Sequence, residues 1–269
     1  MKRALHGLFL AAGAALCIYP FLWMAAAGFK TLTEATTPSL RLLPEVWQWQ
    51  NLRLTLEAAP FLRYFLNSVF VGACTAALIA VTALGAGYAL ACIAFRGRGL
   101  VFAFVLLTMM VPFEMTLIPN FVLVGRLGWY NSFAALIVPW CANGFSIFLV
   151  RQMFSTIPRD YFDAARIDGC GHFQFLLAIG APLVKPALIT AALFAFLGSY
   201  NSLLWPLVVT TDVAHRVIQV GLTVFATDSG VRLNLLMCAS AIVIAPVALL
   251  YFLFQQHVMN AAISSGLKG

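Results

Sequence analysis

The chain has 269 residues, 62% of them hydrophobic and 9% charged, with a formal net charge of +7, and its mean hydropathy is +0.95. Soluble domains carry about 25% charged residues, and a single core of this size cannot enclose so much apolar surface. The composition therefore excludes a water-soluble globular protein and makes a bilayer the solvent for much of the chain. The Lys and Arg residues are scattered singly, without a basic stripe or an aromatic-interleaved patch, which excludes a nucleic-acid surface.

A helix needs about 20 apolar residues to cross the hydrocarbon core. Runs without Asp, Glu, Lys or Arg predict six spans in one transmembrane domain over 1–269, at about 7–29, 65–95, 99–125, 132–154, 184–211 and 234–257. The fold class is therefore all-α integral membrane, with six transmembrane helices. The beginning of the chain also fits a signal peptide, with Lys2 and Arg3, an apolar stretch and the small residues Ala25 to Gly28. Against that reading, the apolar stretch after His6 outruns a signal h-region of about 7–15 residues. The second run is long enough to tilt. It carries Gly72, Ala76, Ala80, Ala83, Gly87 and Ala91 at spacings of three and four, one small-residue face that lets another helix approach closely, in this chain or a partner.

Lys2, Arg3, Arg96, Arg98, Arg151, Arg159, Arg166, Lys185 and Lys268 all fall on one side of a six-span arrangement. The positive-inside rule makes that side cytoplasmic, with both termini on it. The opposite side carries the mixed segment from Lys30 to Arg63, with Glu34, Glu45 and Glu57, and short loops holding Asp212 and Asp228. Cys17, Cys74, Cys92, Cys141, Cys170 and Cys238 form no CxxC pair, and most sit in apolar runs as small hydrophobes, so neither disulfides nor a metal site is expected. His172 and His257 lack metal-ligand spacing, and no Ser-His-Asp, paired-carboxylate or Cys-His set suggests catalysis.

The most informative stretch is 157–182, between spans four and five. Pro158 suits a helix start, Asp160 and Asp163 the positive end of its dipole, and Gly169 with Gly171 a stop and a bend. Phe173 to Ile179 begins a second short helix that should end at Pro182. The two helices form a cytoplasmic elbow on which Tyr161, Phe162, Ala165 and Phe173 offer an apolar surface that calls for a protein partner.

This segment resembles the signature loop of bacterial ATP-binding-cassette import permeases: Glu-Ala-Ala, three residues, Gly, nine residues, Ile, one residue, Leu-Pro. Here Asp163-Ala164-Ala165, Gly169, Ile179 and Ala181-Pro182 keep the spacing, with Asp163 standing for Glu and Ala181 for Leu. Further landmarks are similar to the shorter second permease of maltose-type, carbohydrate-uptake systems. They are Phe29-Lys30-Thr31, Asn67-Ser68, Val111-Pro112, Ile118-Pro119, Arg151-Gln152, Ile167-Asp168-Gly169, Leu204-Trp205-Pro206-Leu207 and Gly266-Leu267-Lys268-Gly269.

The resemblance implies a type I importer permease (MetI-like) in the bacterial inner membrane whose elbow is a coupling helix. Asp163, Ala164, Ala165, Asp168, Gly169 and Pro182 would serve ATPase coupling: Asp163 pairs with a base of the ATPase, Ala164 and Ala165 allow close approach, and Gly169 makes the bend. Implied partners are a second homologous permease, a dimer of ATP-binding-cassette ATPases and an extracytoplasmic solute-binding protein. No cofactor is expected on this chain, which lacks G-x-x-x-x-G-K-[ST], so ATP and Mg would sit on the ATPase. The solute would be a sugar, a polyol or a sugar-phosphate ester.

Polar groups inside spans are costly and usually face an interior or a cavity. Glu114, between Pro112 and Pro119, is therefore a translocation-pathway candidate, as are Asn67, Asn120, Asn143, Tyr200 and Asn201. Tyr200 and Trp205 could stack on a sugar ring, and Trp205 equally fits an interfacial anchor. The alternative to an importer subunit is a stand-alone secondary transporter or channel. That class favours buried coupling charges and inverted repeats, and the chain shows one buried acid and no repeat.

Overall fold

Lipid offers no hydrogen-bond partner to the backbone, so apolar runs of this length close their N–H and C=O groups into helices. The computed structural model describes residues 2–37, 41–227, 230–245 and 247–248. The helices are α1 (Lys2–Ala27), α2 (Leu32–Thr36), α3 (Gln50–Ala58), α4 (Phe61–Cys92), α5 (Arg98–Thr108), α6 (Phe113–Arg126), α7 (Phe133–Ile137) and α8 (Gly144–Phe154). They continue as α9 (Asp160–Ile167), α10 (His172–Phe175), α11 (Ala181–Leu183), α12 (Lys185–Tyr200), α13 (Leu204–Val209) and α14 (Ile218–Leu222), followed by the apolar helix α15 (Leu233–Ala245).

Among the described residues, α1 and α4 are the two helices long and apolar enough to span unbroken. Three helix pairs are apolar enough only when each is taken together, as a broken span or a re-entrant loop: α5 and α6 meet at 98°, Phe133–Trp140 and α8 at 43°, and His172–Leu183 and α12 at 79°. The sixth expected span begins as α15. The rest of it, with His257 and the terminal Gly266-Leu267-Lys268-Gly269, lies outside the described residues, as does Asp228.

The third run was expected as one helix, kinked by Pro112 and Pro119. Instead α5 ends at Thr108, Met109 and Met110 close a turn onto Leu106 and Leu107, and α6 starts afresh after Pro112. Proline lacks the N–H and pushes its predecessor out of the helical region, so the break falls just before it. Pro119 sits inside α6 without ending it. The fifth run also stops early, since α12 ends at Tyr200 and α13 is a separate short helix.

Leu66–Gln219 form one packed unit, and the described residues up to Phe65 and from Val220 form another. In the latter, Lys30 is buried although it reads as a loop base. Its Nζ donates to the Arg41 carbonyl at 2.7 Å, 4.0 Å from Glu34. Asn51 Nδ2 donates to the carbonyls of Gly28 and Lys30, both at 2.9 Å. Gly28 lies so close to Cys238 that a Cβ would come within 2.8 Å of its Cα. On the exposed segment Arg53 pairs with Glu57 at 2.7 Å, a surface contact of small energetic weight.

In the unit 66–219, the small-residue face of α4 packs within this chain. A Cβ on Gly72 would come within 2.9 Å of the Phe196 ring, and one on Gly87 within 2.8 Å of Val150 Cγ1, while Ala83 is fully buried. Gly144 lies equally close to the Val105 carbonyl of α5. On α12, Ala187, Ala191 and Ala195, spaced by four, are all buried. Small side chains let helix backbones approach where no hydrophobic force acts between them.

Gly87→Val should therefore destabilise the solubilised protein by about 1–3 kcal/mol through overpacking. Gly85→Val, where a Cβ meets nothing within 4 Å, should leave the thermal midpoint unchanged; equal midpoints for the two variants would remove the α4–α8 contact from the account.

Candidate functional site

The elbow begins where α8 ends. Arg159 opens α9, and Asp160 and Asp163 in its first turn and Arg166 in its last are each matched to the nearer pole of the helix dipole. The helix then stops in a paired motif: Gly169 N–H donates to Arg166 O at 3.0 Å and Cys170 N–H to Ala165 O at 2.8 Å. Such a stop needs a left-handed residue, and Gly169 has φ +76°. A side chain there would meet open space, so glycine is required by backbone conformation rather than by room.

Periodicity divides α9 into two faces. Phe162 and Ala165 turn inward with Cys170, and Ala165 is only 5% exposed. They rest on an aromatic knot. Phe162 stacks on Phe175 with ring centroids 4.5 Å apart, and Tyr88 contacts Phe175 at 5.9 Å and Phe154 at 5.5 Å. Tyr88 Oη and His172 Nδ1 are 2.8 Å apart. Each buried ring contributes about 1.5–3 kcal/mol and the hydrogen bond about 1 kcal/mol. Ring burial therefore holds the elbow down, and the hydrogen bond orients it. The other face presents Tyr161, Asp163, Ala164, Ile167 and Asp168, with Ile167 87% and Phe173 74% exposed.

This geometry corrects the expected partner surface. Ala165 and Phe162 do not face outward: residues three apart share a helix side, and that side is spent on the chain's own core. Ile167, which sequence reasoning left out of the apolar surface, is its most exposed member, and its spacing from Ala164 would have placed it there. Asp163 and Asp168 are exposed and, among the described residues, make no ion pair. Pro182 does not end the second helix. The helix passes from α10 through a wide π turn over Leu176–Gly180 into α11, and the 79° bend falls at Val184. The wide turn supplies the slack that a proline without an N–H requires.

The end of α4 is tied to the same region by two arginines. Arg98 Nη1 donates to the carbonyls of Ala91 and Ile93 at 3.3 and 3.4 Å, and Arg151 Nε to that of Leu90 at 3.3 Å. Cations at a helix C-terminus satisfy carbonyls that have no intrahelical partner. Arg151 also lies 3.8 Å over the Phe102 ring.

The pathway candidates are not brought together. Asn67 Nδ2 donates to Ala214 O and Arg216 O at 2.9 Å, clamping a loop. Asn143 caps α8, its Oδ1 accepting from Ser146 N–H at 2.7 Å, and Asn201 ends α12. Glu114 is exposed in the first turn of α6, past the bend, and Asn120 is half-buried in the same helix. Tyr200 is buried against Phe196. Trp205 is 1% exposed and donates Nε1–H to Ala135 O at 2.8 Å, which places it in the core of its unit rather than at an interface. A further polar clamp is Asn131, at φ 54°, whose Oδ1 accepts from the N–H groups of Thr211 and Asp212. The tolerance of Asn for left-handed turns was its only sequence signal.

The aromatic knot makes a direct prediction. Phe175→Ala should cost about 3–5 kcal/mol and Tyr88→Phe about 1 kcal/mol. Limited proteolysis should therefore cut 159–171 far faster in the first variant than in the second; the reverse order would put the hydrogen bond, not the rings, in charge of the elbow.

Residues 82–261 match the family model described as "Binding-protein-dependent transport system inner membrane component". The chain is 31% identical over 257 residues to the arabinooligosaccharides transport system permease protein of Halalkalibacterium halodurans, covering 94% of this chain and 92% of that one. It is also 31% identical over 262 residues to the trehalose/maltose transport system permease protein of Thermococcus litoralis, covering 95% and 93%. A crystal structure of a bacterial ABC transporter involved in import of the acidic polysaccharide alginate shares the fold, with a TM-score of 0.78, 24% identity and 95% coverage of both chains.

Proposed function

Since the chain belongs to the family of binding-protein-dependent transport system inner membrane components, we propose that it moves a carbohydrate inward and receives its drive through the outer face of the elbow. It is the membrane-spanning permease subunit of an ATP-binding-cassette importer and not itself an enzyme. An ATPase, a solute-binding protein and a permease partner accompany such a subunit. In the fuller reading, the partner permease is homologous and two ATPases form a dimer that holds ATP and Mg. Both termini lie in the cytoplasm. The binding protein delivers the solute from outside. Names of relatives, which include arabinooligosaccharide, trehalose/maltose and sn-glycerol-3-phosphate permeases, support a sugar, a polyol or a sugar-phosphate ester as the cargo.

One observation carries the coupling role. The inner side of the elbow is locked to the chain's own core, while Asp163, Ala164, Ile167 and Phe173 stand exposed on the other. Large apolar side chains exposed in a loop beside a carboxylate fit a docking surface with an apolar pocket and a base. Gly169 sets the angle, and Pro182 marks the wide turn that leads into α12. A stand-alone transporter would have no use for such a surface.

Asp163→Lys and Ile167→Asp should each abolish uptake in proteoliposomes and cut ATPase co-purification at least about tenfold, the first by losing a charge-assisted contact and the second a buried apolar one, each worth roughly 1.4 kcal/mol or more. Because both positions are exposed, insertion and thermal midpoint should be unchanged. Wild-type uptake by either variant would overturn the coupling role.

A further inference from the structure

We propose that this subunit has its own solute cavity, in the unit 66–219, shaped for a neutral sugar of one or two rings; the proposal rests on the import reading above and names its substrate class. The cavity has a volume of about 310 Å³ and is walled by α4, α12, the start of α8 and the segments around Trp140 and Trp205. Sites for small ligands span roughly 300–1,000 Å³ and are mostly apolar with a few placed polar groups. This one is at the small end, too small for a long oligosaccharide in one piece.

Two of its wall residues show the mark of a missing partner. Thr75 is 2% and Ser146 1% exposed, and neither hydroxyl has a hydrogen-bond partner. Hydroxyls elsewhere in these helices behave differently. Thr82 Oγ1 donates to Ile79 O at 3.1 Å and Cys141 O at 2.7 Å, and Thr190 Oγ1 to Pro186 O at 2.9 Å. Thr75 forgoes the equivalent bond to a carbonyl four residues back, which is open to a threonine in any helix. A buried hydroxyl left unpaired is destabilising, and its persistence at the wall of a cavity points to an occupant that supplies the bond.

The chemistry of the wall selects that occupant. Ser199 and Ser202 add two further hydroxyls. Trp140 offers a fixed aromatic wall, set edge-on to Trp205 at 6.0 Å and tilted against Phe113 at 5.3 Å, with Trp205 itself anchored to Ala135 O. An aromatic face beside several hydroxyls matches a sugar ring, which has an apolar C–H face and a polar rim. An acyl chain would leave Thr75 and Ser146 unpaired. None of the described lining residues is charged, and burying a phosphate without a cation is prohibitive, so a sugar phosphate is disfavoured.

The test uses the complete transporter, with its ATPases and binding protein, in proteoliposomes, and three probes: arabinobiose, maltose and glycerol 3-phosphate. The wild type should carry a neutral disaccharide and not glycerol 3-phosphate. In the Thr75→Val/Ser146→Ala double variant, the amount of that sugar imported per ATP hydrolysed should fall about tenfold, the loss of two neutral hydrogen bonds, while the thermal midpoint stays level or rises. A proportional fall in uptake and ATP turnover with a lower midpoint would show a structural role and overturn the cavity. So would a wild-type ratio. Gly198→Phe is the second variant: it lines the cavity and its Cβ would meet open space. It should assemble fully yet import no sugar, and normal import by it also overturns the cavity. Failure of the wild type to carry any probe, or preference for glycerol 3-phosphate, refutes the neutral-glycan reading itself. Failure to co-purify an ATPase refutes the importer reading.

Discussion

The contact on which the rest depends is the seating of Ala165 and Phe162 among Tyr88, Phe154 and Phe175. An elbow can pass on a push only if it is stiff against the helices it is meant to move. Four aromatic rings from α4, α8, α9 and α10 converge there, and interdigitated rings of this kind resist sliding because interiors are packed as densely as crystals. Small residues make the convergence possible. Ala165 leaves room for the rings, and Gly87 lets α4 approach α8 closely enough for Tyr88 and Phe154 to meet. The arginines that tie Leu90, Ala91 and Ile93 hold the end of α4 in the same place.

A second constraint follows from the bilayer. Three helix pairs are bent, and each bend frees backbone groups that lipid cannot satisfy. Asparagines meet such backbone demands both at one of these bends and in the loops between helices. Asn143 caps the restart of α8, Asn67 holds the carbonyls of Ala214 and Arg216, and Asn131 collects the N–H groups of Thr211 and Asp212. An asparagine in a span is therefore ambiguous from sequence, since the cost that makes it look functional is repaid equally well by a local cap.

That ambiguity explains which expectations held. The helical character of the apolar runs, the small face of α4 and the bend at Gly169 follow from composition, spacing and a backbone conformation open chiefly to glycine, all local properties. The importer family was legible because the elbow motif has fixed spacing, and residues 82–261 match the family model. The inward turn of Ala165 was not legible, because a small residue serves equally in docking and in core packing. Pro112 and Pro119 made a kink legible, but not a break before Pro112 with a 98° turn. The unpaired state of Thr75 and Ser146 could not be read at all, since a hydroxyl shows its partners only once neighbouring helices are in place.

Geometry also connects the elbow to the cavity. The helix that carries His172 and Phe175 passes through the wide turn into α11, and α12 starts directly after Val184. The far end of α12 supplies Phe194, Ala195, Gly198 and Ser199 to the cavity wall. Elbow and wall are thus two ends of one bent rod. At about 1.5 Å per residue, α12 carries any rotation about its 79° bend some 20 Å along the span. A route from the elbow through α12 crosses the 79° bend, whereas one through α6 would cross the sharper 98° break. On the coupling role and the sugar cavity proposed above, α12 is the element of this unit through which a docked ATPase would reshape that cavity.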